Sequence, residues 1–65
     1  MKSAVTIHQV NGHQFKVWSD YITRATYAED EAGTVKILHW GGYISKDLTI
    51  RKNIAAAFHL PTFRK

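Results

Sequence analysis

The stretch that decides the fold is Ala4–Trp18, which reads AVTIHQVNGHQFKVW. Polar and apolar side chains alternate on both sides of Asn11-Gly12, and alternation around an Asn-Gly pair predicts a β-hairpin. Because the two arms are rich in residues that favour strands, we expect this hairpin to begin an antiparallel sheet.

The length of the hairpin loop sets which side chains share a face of the sheet. A two-residue loop would place Val5 and Ile7 on one face and Phe15 and Val17 on the other. A bulged three-residue loop, Val10–Gly12, would bring these four apolar side chains together. Since a slip of one residue moves every side chain to the opposite face, the hydrophobic pattern favours the bulged loop.

In this register the opposite face of the hairpin carries polar and aromatic side chains, which are Thr6, His8, Gln14, Lys16 and Trp18. A tryptophan beside a lysine and a histidine on an outer face is typical of a surface that something covers. We therefore expect these five residues to contact a partner.

The middle of the chain predicts two further strands. Tyr21–Tyr27 is rich in Tyr and Thr and favours a strand, with a helix capped by Ser19 or Asp20 as the alternative. We expect an acidic loop at 28–33, a strand at 34–40, and a turn or bulge at 41–42 before Tyr43-Ile44.

The last element is predicted to be a helix over about 47–60, with Ser45 or Asp47 as the N-cap and Pro61 just beyond its end. Its apolar stripe facing the sheet is Ile50, Ile54, Ala57 and Phe58, and its remaining surface carries Arg51, Lys52, Ala55, Ala56 and His59. The 65 residues therefore predict one α+β domain, a small antiparallel sheet of three to four strands packed by one C-terminal helix.

The charge is distributed unevenly along the chain. The net charge is +4, but three of the five acidic residues stand together at Glu29–Glu31, so nine basic residues oppose two acids elsewhere and the remainder carries +7. Basic residues interleaved with aromatic ones favour contact with nucleic acid. The cations that we expect to contribute, beside Lys16, are Arg24, Lys36, Arg51 and Lys52.

The sequence offers little that predicts catalysis or metal binding. The chain has no cysteine, which excludes thiolate metal sites and disulfides. Its histidines, His8, His13, His39 and His59, lie at spacings unlike helical ligand pairs, and the predicted register puts His8 and His13 on opposite faces. Hence we expect no enzyme activity, no metal and no cofactor.

One enzyme class fits the size and charge. Gly12-His13 at the start of a basic strand and Leu48–Arg51 in the helix are similar to parts of small bacterial toxins of the HicA type. That resemblance implies a histidine-dependent ribonuclease, but the N-terminal helix and the paired-histidine motif of the family are missing from this chain.

The function that the sequence favours is a small inhibitor or adaptor of the kind that phages and mobile elements encode. Such a protein would dock on a larger protein or nucleoprotein complex, and a nucleic-acid-binding module is the alternative. A chain this short buries a small core, so association into a homodimer is a further expectation. Without a signal peptide or an apolar span, we expect the protein in the cytoplasm and not in a membrane.

Overall fold

The computed structural model describes residues 3–59. Its elements are β1 (Thr6–Val10), β2 (His13–Asp20), β3 (Ala25–Glu29), β4 (Val35–Trp40) and α1 (Asp47–Ala57). The four strands form an antiparallel sheet in which each strand pairs with the next along the chain. The predicted α+β fold, a small antiparallel sheet with one C-terminal helix, is confirmed.

The turn between β1 and β2 is a two-residue turn, so the prediction of a bulged three-residue loop is wrong. Val10 pairs with His13, and the two residues between them both have positive φ, 52° at Asn11 and 79° at Gly12. These angles define a type I′ turn, whose twist matches that of the flanking strands and which Asn-Gly adopts at little cost. The local preference of Asn-Gly therefore sets the register.

The observed register exchanges the faces that β1 was predicted to present. Thr6 pairs with Val17 and His8 with Phe15, so both polar side chains share the face of the buried apolar residues of β2. Ile7 pairs with Lys16 and points away from the helix. The prediction that Thr6 and His8 lie on the outer face with Lys16 is wrong, because the register differs by one residue from the predicted one.

The third strand begins four residues later than predicted, because residues 21–24 form a turn, and it ends two residues later, so Ala28 and Glu29 belong to β3 and not to the predicted loop at 28–33. The carboxylate of Asp20 accepts hydrogen bonds from the amides of Ile22 (2.8 Å) and Thr23 (3.1 Å), and Arg24 has a φ of 58°. An aspartate that bonds the backbone two residues ahead stabilises a turn. The chain then re-enters the sheet at Ala25.

The fourth strand contains a β-bulge. Tyr27 pairs with Ile37 while Thr26 pairs with His39, so Leu38 is an additional residue in β4, and its side chain is buried. A bulge of this kind places one more side chain on the core side and increases the local twist. The predicted strand at 34–40 is confirmed as Val35–Trp40, and residues 41–46 form no regular element.

The helix spans Asp47–Ala57, so its predicted start is close and its end is three residues earlier than expected. The N-cap residue is Lys46, which makes no side-chain capping bond, and the prediction of Ser45 or Asp47 as N-cap is wrong. The helix ends where Phe58 leaves the helical conformation and His59 takes a φ of 57°. The predicted boundary at Leu60-Pro61 lies outside the described residues.

The core lies between the helix and one face of the sheet. Its buried side chains come from every element and are Val10, Phe15, Val17, Ala28, Leu38, Ile50, Ile54 and Ala55. Ile44, Ala57 and Phe58 pack against this cluster, and the Phe15 and Phe58 rings are 5.0 Å apart. The predicted apolar stripe of the helix is confirmed, but Ala55, which we expected on the remaining surface, is buried.

Candidate binding surface

The face of the sheet opposite the helix presents mainly apolar and aromatic side chains. We call this surface the outer face and define its central part, next to the exposed pair Gln9 and Gln14, as Val5, Ile7, Lys16, Trp18, Tyr27, Glu29, Val35 and Ile37. Its four aliphatic side chains are exposed, Ile7 by 53% and Ile37 by 37%. Exposed apolar side chains that are neighbours on one face make that face a candidate interaction site.

The centre of the outer face is an aromatic pair. Trp18 and Tyr27 pair across β2 and β3, and their rings stack with centroids 5.9 Å apart and planes 17° from parallel. Beside them, Lys16, Glu29 and the aliphatic side chains of residues 5 and 7 line a shallow depression of about 430 Å³. Tryptophan and tyrosine are enriched among the residues that contribute most binding energy at protein interfaces, which makes this pair a candidate contact.

The outer face carries one charge of each sign. Lys16 on β2 and Glu29 on β3 occupy directly opposed positions in the ladder. Opposite charges at such positions attract each other weakly and leave the face neutral overall. The residues of the outer face are therefore neutral together, whereas the whole chain carries +4.

The predicted basic residues do not come together in the structure. Lys16 lies on the outer face, whereas Arg24 lies in the turn before β3. Lys36 is on the helix side, with its ammonium 5.7 Å from the centre of the Phe58 ring. Arg51 and Lys52 belong to the helix, and the guanidinium of Arg51 lies 3.6 Å from Asp47. The structure thus distributes these cations over both sides and one end of the domain.

Thr6 and His8 take part in a contact between the sheet and the helix. Nδ1 of His8 lies 2.8 Å from the Asp47 carboxylate, and Nε2 lies 2.8 Å from the hydroxyl of Thr6. The hydrogen bond with His8 lowers the pKa of Asp47, and the nearby guanidinium of Arg51 acts in the same direction. This chain of polar groups holds β1 to the first turn of α1, a structural role that the predicted register did not reveal.

A second group of exposed aromatic side chains lies at one end of the sheet. The rings of Tyr21 and Tyr43 meet edge to face at 5.2 Å, and Trp40 is exposed on the last position of β4. The backbone carbonyl of Arg24 accepts hydrogen bonds from both Gly41 (2.9 Å) and Gly42 (3.1 Å), which ties the two loops together.

The histidines do not form a metal site within residues 3–59, where no three metal-ligating side chains cluster. His8 and His13 share the helix side of the sheet in the observed register, which corrects the prediction of opposite faces. They contact different carboxylates, since His13 lies 3.6 Å from Glu31.

The two edges of the sheet differ in how they are protected. β4 carries the bulge and Lys36, both of which discourage pairing with a further strand. β1 is a regular five-residue strand that contains no lysine, arginine, acid or proline. Because β1 is first in the sheet order, its backbone presents an edge that no other strand among residues 3–59 pairs with.

The outer-face residues that the sequence did not predict as contacts are Val5, Ile7, Tyr27, Glu29, Val35 and Ile37. The signal that could have found the first two is Asn11-Gly12, because a two-residue turn at this pair dictates the register. Gln14, Lys16 and Trp18 do belong to the side that the prediction gave them.

Within the described residues, no helix is long and apolar enough to cross a membrane. Comparison of the chain with protein-family models, with curated proteins and with solved structures finds no match in any of the three.

Proposed function

We propose that this chain is a non-catalytic binding protein, an inhibitor or adaptor, that docks on a larger protein or nucleoprotein complex through its outer face. The observation that carries the proposal is the exposed aliphatic surface around the stacked Trp18–Tyr27 pair, on the side of the sheet that the helix leaves open. Because exposed apolar area is costly in water, a partner that covers it gains free energy from the burial.

The side chains of the outer face indicate what kind of partner surface would fit. An apolar patch with one cation and one anion fits a protein surface that is itself apolar at its centre and carries complementary charges nearby. Trp18 supplies the anchor, because tryptophan at the centre of an interface contributes more binding energy than its neighbours.

A nucleic-acid-binding module is the alternative, and its support is the net charge of +4. Backbone recognition of nucleic acid requires several cations along one surface. The outer face contains one of the five predicted cations, Lys16, and Arg24 and Lys36 lie elsewhere. The distribution of charge therefore favours a protein partner.

Affinity capture from the native host's lysate tests the proposal, with the lysate divided and one half treated with nuclease. We expect the same protein to be captured from both halves, and the captured amount to survive a moderate rise in salt. Trp18→Ala should lower the affinity by about tenfold or more, which corresponds to at least about 1.4 kcal/mol.

Leu48→Ala is the control for this substitution, because Leu48 is an exposed aliphatic residue on the helix side. It should leave capture unchanged. Capture that nuclease abolishes because the chain binds only the nucleic acid favours the nucleic-acid module. A folded Trp18→Ala variant that binds as the unaltered chain does contradicts docking through the outer face.

A further inference from the structure

The backbone of β1 has hydrogen-bonding groups that face out of the sheet. Val10 and His13 flank a two-residue turn, and in such a hairpin this pair exchanges hydrogen bonds. Bonded and non-bonded pairs then alternate along the ladder, so the pair of Gln9 with Gln14 is non-bonded and that of His8 with Phe15 is bonded. The amides and carbonyls of Ile7 and Gln9 therefore point away from β2.

The hydrogen bond of Gln14 agrees with this alternation. Its amide donates to the carboxylate of Glu31 at 3.4 Å, on the side of β2 away from β1. Among residues 3–59, no group accepts a hydrogen bond from the amide of Ile7 or of Gln9. The open edge of β1 thus offers donors and acceptors with the spacing that only an extended strand can satisfy.

We propose that a second copy of this chain pairs with β1, antiparallel and about a two-fold axis beside His8, to join two four-stranded sheets into one. In this arrangement Ile7 of each copy stands opposite Gln9 of the other. Each such pair exchanges two backbone hydrogen bonds, since both residues direct their amide and carbonyl outward. The pattern is self-complementary, as an isologous interface requires.

The lack of fixed charge in β1 allows a second copy to approach this edge. The chain carries +4, so two copies repel each other wherever their basic surfaces approach. The strand Thr6–Val10 has no lysine, arginine, aspartate or glutamate, and its high content of β-branched residues favours strand pairing. At the other edge Lys36 and the bulge oppose the same association.

Pairing at β1 would also extend the outer face. Ile7 projects from β1 onto that face, so joining two sheets at this edge places the outer faces of both copies side by side. A dimer would then offer a partner two copies of the Trp18–Tyr27 pair on one continuous surface. The pairing does not depend on the proposed function, because it involves the edge of the sheet and not its face.

Gln9→Pro tests the proposal, because it removes the outward amide of one residue and breaks no hydrogen bond within the chain. Edge strands accept proline where the amide would face solvent. We expect the unaltered chain to sediment at twice the 7.4 kDa chain mass and Gln9→Pro at the chain mass. Gln9→Ala retains the amide and should remain dimeric.

Hydrogen exchange of individual amides keeps the test decisive if Gln9→Pro does not fold. In the dimer the amides of Ile7 and Gln9 should exchange slowly, and dilution to the monomer should accelerate them. A chain that is monomeric at high micromolar concentration with both amides exchanging freely overturns the proposal. A folded Gln9→Pro variant that is still dimeric also overturns it, because the contact then lies elsewhere.

Discussion

The two faces of the sheet are built from the same strands, but one is buried and the other is exposed. On the helix side, Phe15, Val17 and Ala28 are buried under α1. On the outer side, Ile7, Val35 and Ile37 are as apolar but remain exposed. Since burial of apolar surface is the main stabilising contribution, the first face holds the fold together and the second contributes little to its stability.

The largest difference between the faces should be seen when one isoleucine on each side is truncated. Ile54→Ala removes a side chain with no exposed surface and should lower the free energy of unfolding by about 2–5 kcal/mol. Ile7→Ala, at a position 53% exposed, should cost less than about 1 kcal/mol. Urea denaturation of both variants gives the comparison. Equal losses would show that the outer face also supports the fold.

A smaller effect is expected at the buried hydroxyl pair of the helix side. The hydroxyl oxygens of Ser19 and Thr26 lie 3.0 Å apart, and the Thr26 hydroxyl also accepts a hydrogen bond from the amide of Ile44 at 3.4 Å. Thr26→Val leaves the Ser19 hydroxyl and the Ile44 amide without the Thr26 hydroxyl as a partner, and it should lower the free energy of unfolding by about 1–3 kcal/mol. Thr34→Val, at an exposed position, should change it by about 0.5 kcal/mol or less in the same denaturation experiment.

The contact between Asp47 and His8 should make the helix side sensitive to acid. Because the pKa of Asp47 is lowered in the folded chain, the ionised carboxylate stabilises the fold above its ordinary pKa of 3.8, and this contribution is lost as the pH falls through the lower folded value. Asp47→Asn should therefore be less stable than the unaltered chain at pH 6. The difference should shrink as the pH decreases below 3.8, as measured by thermal unfolding across pH. A difference that does not change with pH would contradict this role.

The smallest effect on stability is expected for charges placed on exposed positions. Ile37→Lys on the outer face and Ile22→Lys in the turn before β3 should each change the free energy of unfolding by less than about 1 kcal/mol. Both positions are exposed, by 37% and 79% respectively. A large loss at Ile37 alone, measured by urea denaturation, would mean that this position belongs to the core.

The fold could be predicted from the sequence because its signals are local. Alternation on both sides of Asn11-Gly12 predicts the hairpin, and the spacing of Ile50 and Ile54 predicts the face of the helix that is buried. The end of the helix could not be predicted as well, since Phe58 packs against Phe15 and leaves the helical conformation.

The candidate site was harder to predict because two signals at the hairpin conflict. Gathering Val5 and Ile7 into one core with Phe15 requires a bulged loop, whereas Asn-Gly prefers a type I′ turn. The hydrophobic pattern prevails only if every apolar residue must be buried. Here Val5 and Ile7 remain exposed on the outer face, so that assumption fails at these two residues.

The measurement that tests the central claim most directly is capture of the lysate partner by Ile37→Lys and Ile22→Lys, compared with the unaltered chain. A charge at Ile37 places an unpaired ammonium inside the proposed interface, which should reduce the affinity by about tenfold or more. The same charge at Ile22 should leave it unchanged. If Ile37→Lys captures the partner as well as Ile22→Lys does, the outer face is not the docking surface.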